Sequence, residues 1–428
     1  MKKTLLLISL GSVAMHAGAC GCHSSWYADY SDWGKLQLKG NQLSDKEGNP
    51  VQLTGWSTQS LHLDEVQECL GESQWKLMNQ YGANIVRLAM NVDAPDAYLS
   101  NPDKFKDIVK KSIAETRLLN MYCMIDWHII SDSINYYADP NDYVAESKDF
   151  FGEISKYCSD NGYDHVLYEI CNEPNCGWIN VKNYAEEVIP VITANQPDAI
   201  IVVGTDAWCQ KIMEPVSNPI NPDYKKNVMY SFHYYACSHY SFLGDFRNAQ
   251  KNIPVFVSEW SAFKFDGSGP FCAQNGDEMI AACEKRDIAP QVVSWCIGTW
   301  GGKKENSSFL ENICDAKSLS SYKDYKGKKY SDYVYELMPY CYAPDPTILN
   351  IITSTEFFIN PNPTSGEFTI TLAENIEANV EIVNMAGQVV ASQRFEGTTT
   401  INNALTAGVY TVVVKSNGGV STQKLVVK

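Results

Sequence analysis

Eight short apolar runs, separated by stretches with the period of an amphipathic helix, constrain this chain more than any other feature. They occupy residues 51–55, 84–90, 122–127, 166–171, 199–204, 228–234, 254–258 and 291–296. Between them, segments such as 104–120 and 181–196 repeat apolar residues at spacings of three and four. Repeated β-α units bury a parallel sheet on both faces, so its strands read as near-continuous apolar runs. Two architectures meet that description, a closed (β/α)8 TIM barrel and an open doubly wound sheet. An open sheet built for dinucleotides or phosphates would carry G-x-G-x-x-G after its first strand or a G-x-x-x-x-G-K-[ST] loop, and neither occurs. The barrel is therefore expected. Ahead of it, residues 36–38 and the Glu47-Gly48-Asn49-Pro50 turn read as a hairpin closing the barrel floor.

Beyond the barrel the composition changes. All ten Trp fall between Trp26 and Trp300, and all fourteen Cys at or before Cys341. The stretch Ala343-Pro344-Asp345-Pro346 marks a joint, and the alternating runs 367–372, 380–383 and 408–414 predict a small all-β sandwich of about 80 residues. At the other end, Lys2 and Lys3 precede an apolar run too short to span a bilayer, followed by Ala17-Gly18-Ala19. That pattern predicts a secretory signal cleaved after Ala19, with lipidation of Cys20 as the competing outcome. The expected organisation is a signal peptide (1–19), a barrel domain (20–345) and a β-sandwich (346–428). Disulfides are expected in an exported chain, without a pairing that sequence could assign. Cys123, Cys171 and Cys296 lie inside apolar runs and read as buried thiols. With no C-x-x-C and no zinc-like Cys/His spacing, neither metal nor cofactor is expected. Thirty-four basic against fifty acidic residues give a net charge of −16, which argues against nucleic acid or anionic membrane as partner.

Barrels of this kind carry their reactive groups at the C-terminal ends of the strands. The polar residues there are Arg87, Asp126 to His128, Asn172 and Glu173, His233 and Tyr235, Glu259, and Trp295. Two carboxylates facing one aromatic-rich mouth are what glycosidic bond cleavage requires. One protonates the leaving oxygen, and the other attacks the anomeric carbon or activates water.

The segments GKLQLKGNQLSDKEGNPVQLTGWST (34–58), ANIVRLAM (83–90), MIDWHI (124–129), YEICNEPN (168–175), YAEEVIPVI (184–192), IVVGTDAWCQ (201–210), MYSFHYYA (229–236) and PVFVSEW (254–260) occur in this order. They resemble glycoside hydrolase family 5, and most of all its secreted bacterial endo-β-1,4-glucanases. The resemblance implies a retaining mechanism with Glu173 as acid/base and Glu259 as nucleophile. It further implies that Arg87 holds the nucleophile ionised and that Asn172 contacts the 2-hydroxyl of the reacting sugar. His128, His233 and Tyr235 would line the same subsite, Trp295 would lie under that sugar, and Trp208 would be the aromatic on the leaving-group side. The chain departs from the family pattern after the first strand, where Gln59 and Leu63 replace a His and a Trp, a change that bears on substrate preference more than on mechanism. Lys304 and Glu305 resemble a family pair near the same end of the cleft.

The tail segments NPNPTSGEFTI (360–370), VEIVNMAGQVV (380–390), LTAGVYTVVV (405–414) and KLVVK (424–428) resemble the type A sorting domain of the bacterial type IX secretion system. The partners so implied are a β-1,4-linked polysaccharide and the outer-membrane secretion machinery, with the protein secreted or held at the cell surface as a monomer. A carbohydrate-binding sandwich is the other reading of the tail, and its lack of Trp argues against that. For the whole chain, β-mannanase, xyloglucanase, lichenase or a non-catalytic glycan-binding surface protein are the alternatives.

Overall fold

Runs that are apolar throughout bury both faces, and here they do so by closing on themselves. The computed structural model describes residues 28–130, 136–221, 223–284, 292–298, 314, 324–325, 328–338, 357–372, 376–384, 388–402, 405–416 and 419–428. Its parallel strands are β1 (Thr54–Ser57), β2 (Ile85–Asn91), β3 (Tyr122–His128), β4 (Val166–Glu169), β5 (Ile200–Gly204), β6 (Val228–Tyr235), β7 (Val255–Ser261) and β8 (Trp295–Ile297). Each pairs with the next, and β8 pairs with β1 to complete the barrel. The signal segment, Cys20, the joint at 343–346, Lys304 and Glu305 lie outside the described residues.

Successive side chains on a strand point to opposite faces, so each run supplies two layers. Ile85, Met124, Leu167, Val202, Phe256 and Cys296 fill the barrel interior. Val86, Trp127, Val203, Trp260 and Trp295 face outward and pack against the helical layer with Val109, Phe150 and Ile192. The long helices include α1 (Glu72–Gln80), α2 (Pro102–Leu118), α3 (Val144–Asn161) and α4 (Trp178–Asn195). The second starts two residues earlier than its apolar period suggests, because Pro102 occupies its first turn and Asn101 caps the Lys104 amide at 3.3 Å.

The floor hairpin is present with a different turn. Residues 37–39 pair with 42–44, Leu38 opposite Leu43, so the reversal falls at Gly40-Asn41. The 47–50 segment forms the following turn, in which the Asp45 carboxylate accepts the Asn49 amide at 2.8 Å. Leu36, Leu43, Val51 and Leu53 join the interior cluster and close the floor as expected.

One irregularity reshapes the C-terminal mouth of the barrel. On the β6 side Ser231 pairs with Phe256 and His233 with Glu259; on the β8 side Trp295 pairs with Val257 and Ile297 with Trp260. Both neighbours spend two residues where β7 spends three. This β-bulge turns Ser258 and Glu259 towards the interior in succession, where strict alternation would send one of them outward.

Cystines join Cys69 to Cys314 and Cys237 to Cys272, the second linking the loops that leave β6 and β7. Cys123, Cys171 and Cys296 are buried thiols. The C-terminal region is two antiparallel sheets. Three strands, β9 (Phe357–Asn360), β10 (Phe368–Leu372) and Thr398–Ile401, form one, and Glu377–Asn384, Val389–Glu396, Gly408–Ser416 and Gly419–Val427 form the other. Phe357, Phe368, Ile370, Val380, Val412 and Leu425 make their common core. Among the described residues no helix is long and apolar enough to cross a membrane.

Candidate active site

At the C-terminal end of the barrel the interior changes from apolar to charged. Arg87 is fully buried there, and its guanidinium reaches five groups. It donates to Glu169 at 2.5 Å, to Asn172 Oδ1 at 2.6 Å, and to Ser57 Oγ and Glu259 Oε2 at 3.0 Å each. Asp126 lies 3.0 Å from Nη2. A planar fork of five N–H donors suits such a cluster, as a point-charge ammonium would not. Burial disfavours the guanidinium charge, but Asp126, Glu169 and Glu259 outweigh it and raise the Arg87 pKa well above its ordinary value.

Glu259 is held from both sides, since Tyr235 donates its hydroxyl to Oε1 while Arg87 holds Oε2. Burial alone would raise its pKa. The positive charge of His233, Arg87 and His128 and the Tyr235 hydrogen bond outweigh burial and lower it to about 2. Glu173 sits differently. Its Oε1 is 2.8 Å from His233 Nδ1, and His233 Nε2 is 3.0 Å from Ser258 Oγ, so the ring is braced between β7 and the carboxylate it orients. Burial opposes charge on His233, yet Cys209 and Glu173 raise its pKa well above the usual range. An oxygen of Glu173, an oxygen of Glu259 and a ring nitrogen of His233 all lie within 4.8 Å of one another.

These groups open into a cleft of about 640 Å³. Glu173, Glu259, His128, Asn172, Trp208 and Tyr235 line it. Arg87 and His233, both fully buried, support the carboxylates from beneath. Trp295 is the exception. Expected under the sugar, it is instead fully buried, and its ring packs edge-on against Trp260 at 5.8 Å. Strand parity is the reason, because Cys296 takes the interior position and sends Trp295 to the helical layer. Gly298 is the residue after β8 that borders Glu259.

Trp208 owes its position to an unusual backbone. Ala207, Trp208 and Cys209 all have positive φ, at 53°, 56° and 60°, a conformation that costs roughly 1–2 kcal/mol per non-glycine residue. Asp206 anchors the turn by accepting the amides of Cys176 at 3.1 Å and Gly177 at 2.8 Å, and Lys211 lies 2.7 Å from its other oxygen.

Sequence reasoning missed Glu169 and passed over Asp126 as a site residue. Asp126 bonds His128 Nδ1 at 2.6 Å, an interaction that raises the His128 pKa against the opposing effect of burial. Glu169 has a raised pKa, first because it is buried and then because Asp126 is near, with Arg87 opposing. A signal was available, since each is a lone carboxylate inside an apolar run. Gln59 and Ser60 line the cleft, whereas Leu63 opens the short helix Asp64–Cys69 and packs on the core.

Glu173, His233 and Glu259 have the residue types and spacing of a cation site, but their donor atoms already face Ser258, Tyr235 and one another, and the adjacent guanidinium opposes a second positive charge. Cys69 and Cys314, which with Glu68 make the other such group among the described residues, are joined as a disulfide.

Residues 44–301 match the family model described as cellulase (glycosyl hydrolase family 5). The chain belongs to glycosyl hydrolase family 5. Relatives of this family 5 chain include endoglucanase E-5 of Thermobifida fusca, 38% identical over 263 residues, which are 60% of this chain and 54% of that protein. An endoglucanase of Clostridium saccharobutylicum is 39% identical over 284 residues, 65% of this chain and 60% of its own. The chain thus spans less than two thirds of the length of either. The catalytic domain of the Thermobifida fusca endoglucanase, solved in complex with cellotetraose, superposes with a TM-score of 0.63 at 31% identity, covering 72% of this chain and 98% of that one. A structure from Cytophaga hutchinsonii gives 0.61 at 27% identity, covering 72% and 95%. Residues 358–428 match the secretion system C-terminal sorting domain, so this family 5 glycoside hydrolase is a protein for secretion or attachment at the cell surface.

Proposed function

We propose that the protein is a retaining endo-β-1,4-glucanase acting on cellulose or related soluble β-glucans. The observation that carries this reading is the spacing of the two carboxylates, with oxygens of Glu173 and Glu259 within 4.8 Å. Retaining enzymes separate theirs by about 5–5.5 Å, while inverting enzymes leave about 6.5–9.5 Å for a water. The environments also divide the labour. Glu259, kept ionised by Arg87 and Tyr235, attacks the anomeric carbon as Glu173 delivers a proton to the departing glycosidic oxygen. A glycosyl ester on Glu259 results. Its formation removes the anionic charge beside Glu173, which then takes a proton from water as that water breaks the ester. Asn172, fixed by Arg87 and by the Ile129 carbonyl at 3.1 Å, faces the 2-hydroxyl of the reacting sugar. Relatives named endoglucanases, one captured with cellotetraose, support the choice of substrate.

A second reading, activity on mannan, xyloglucan or mixed-linkage glucan, is favoured by one observation. Gln59 lines the cleft where the family pattern has a His. Release of reducing ends from carboxymethylcellulose, β-mannan, xyloglucan, mixed-linkage glucan and xylan by wild type, Glu173→Gln and Glu259→Gln separates the readings. Preference for the cellulose derivative, lost in both variants, is expected. Activity confined to one of the other glycans would keep the mechanism and change the substrate, and an inert wild type would point to a glycan-binding protein. We propose further that residues 346–428 engage the outer-membrane secretion machinery and that the enzyme acts as a monomer.

A further inference from the structure

The loop leaving β7 carries three phenylalanines used in two ways. Phe263 and Phe271 are buried and stacked on each other at 5.8 Å, whereas Phe265, at the tip between them, is 66% exposed and lines the cleft. The tip is a built turn. Lys264 N–H donates to the Ser268 carbonyl at 3.1 Å, Gly267 N–H to the Lys264 carbonyl at 2.9 Å, and the Asp266 carboxylate accepts the Ser268 amide at 2.9 Å. Its base is clamped by Cys272 N–H to the Ala262 carbonyl at 2.8 Å. The same loop is tied to the one leaving β6 by the Cys237–Cys272 disulfide and by Cys237 N–H to the Phe263 carbonyl at 3.2 Å. An ordered turn that lifts a large apolar ring into solvent contributes little to packing, and Phe265 shares the cleft with two further exposed apolar side chains, Ile130 and Tyr136, a grouping that marks a binding surface. The turn is joined to one side of the cleft: Phe265 N–H donates to Ser238 Oγ at 3.4 Å, the neighbouring His239 bonds Gln210 at 3.1 Å and packs edge-on against Tyr235 at 5.4 Å, and Trp208 lines the same cleft.

We infer that Phe265 is a sugar-stacking platform which, together with Trp208, holds glucosyl units on the leaving-group side of the scissile bond, and that the Cys237–Cys272 disulfide keeps it in place. A phenyl ring has no polar group with which to read a ligand, so what it selects is the apolar C–H face of a pyranose. The inference rests on the glucanase reading and on Trp208 marking the leaving-group side.

The test compares full-length wild type, Phe265→Ala, Phe265→Tyr and the double variant Cys237→Ser/Cys272→Ser. Two ratios are read. The first is kcat/KM for cellohexaose over kcat/KM for an aryl β-cellobioside, whose leaving group is too short to reach the ring. The second is transfer to added cellobiose over hydrolysis during aryl cellobioside turnover, which reports the leaving-group side alone. Both ratios should fall about 5- to 50-fold in Phe265→Ala, recover in Phe265→Tyr, and fall in the disulfide variant, with the melting temperature of Phe265→Ala at the wild-type value. Equal loss on both substrates, or no change in either ratio, overturns the inference and leaves the glucanase reading standing. A fall in the first ratio without the second puts the ring on the other side and overturns the assignment. Wild type inactive on every β-glucan removes the reading on which it rests.

Discussion

Replacing Arg87 by Lys keeps the charge and should nevertheless cost much of the barrel's stability. The guanidinium makes five contacts of 3.0 Å or less, to Glu169, Asn172, Ser57, Asp126 and Glu259. An ammonium has three donors on a shorter head group, so at least two of these partners lose theirs inside the protein. Each buried polar group left unpaired costs about 1–3 kcal/mol, and breaking a buried charge pair costs about 3–5 kcal/mol. We therefore expect a loss of about 3–5 kcal/mol. At about 2.1 cal/mol/K of unfolding entropy per residue, a barrel of roughly 300 residues shifts by about 1.6 °C per kcal/mol, so its melting temperature falls by roughly 5–8 °C in calorimetry or circular dichroism. Removing a competing carboxylate should return part of the loss, so Arg87→Lys/Glu169→Gln should show a coupling of about 1–3 kcal/mol in a double-mutant cycle. The pH dependence has a definite sign. Glu259, lowered from an ordinary 4.5 to about 2, stabilises the fold fully above 4.5 and loses that contribution as pH falls towards 2. The variant, with Glu259 nearer its ordinary value, has less to lose, so the gap between the two proteins narrows across that window. A melting temperature within about 2 °C of wild type at neutral pH would refute the reasoning, because it would mean that the carboxylates do not depend on the fork.

Tyr235→Phe removes the hydroxyl that Glu259 Oε1 accepts; a hydrogen bond to a charged group is worth about 1.5–3 kcal/mol, so the acid limb of the kcat/KM profile should move up by roughly 1–2 pH units. An unmoved limb would assign that limb to another group. Gly204→Ala drives a methyl into the Cys171 carbonyl oxygen and to 3.0 Å from that of Asn172, so backbone next to Glu173 must shift. We expect loss of about 2–4 kcal/mol with a fall in kcat, measured by denaturant unfolding and steady-state kinetics, and a wild-type kcat would contradict it. Deleting residues 348–428 should leave hydrolysis intact and stop the protein in the periplasm, and normal export of the truncated chain would remove the sorting role.

The barrel was legible because its signal is local. Continuous apolar runs separated by helical periods of three to four residues, and the absence of phosphate-binding glycines, need no knowledge of distant contacts. The strands shifted by a few residues, as at 51–55 against Thr54–Ser57, because pairing of Thr54 with Trp295 decides where the first strand begins and pairing of Ser57 with Arg87 where it ends. Glu173 and Glu259, the pair proposed to react, could be named from motif and position. Glu169 stood out only as a lone carboxylate inside an apolar run, and nothing beside it in sequence reveals that it will share a guanidinium with Asp126 and Glu259. Trp295 was misplaced for a related reason: residue type suggested a sugar platform, but the side it faces depends on the register of β8 against its neighbours.

The order of strands, the sorting tail and the proposal of Glu173 and Glu259 as the reacting pair follow from residue types and motifs along the chain, because each rests on a periodicity or a motif read within one segment. The bulge in β7 that turns Ser258 and Glu259 inward together, and the five-way contact of Arg87, emerge only on folding. They depend on segments far apart in sequence meeting at one buried point, where desolvation magnifies every unpaired charge and leaves few arrangements that satisfy them all.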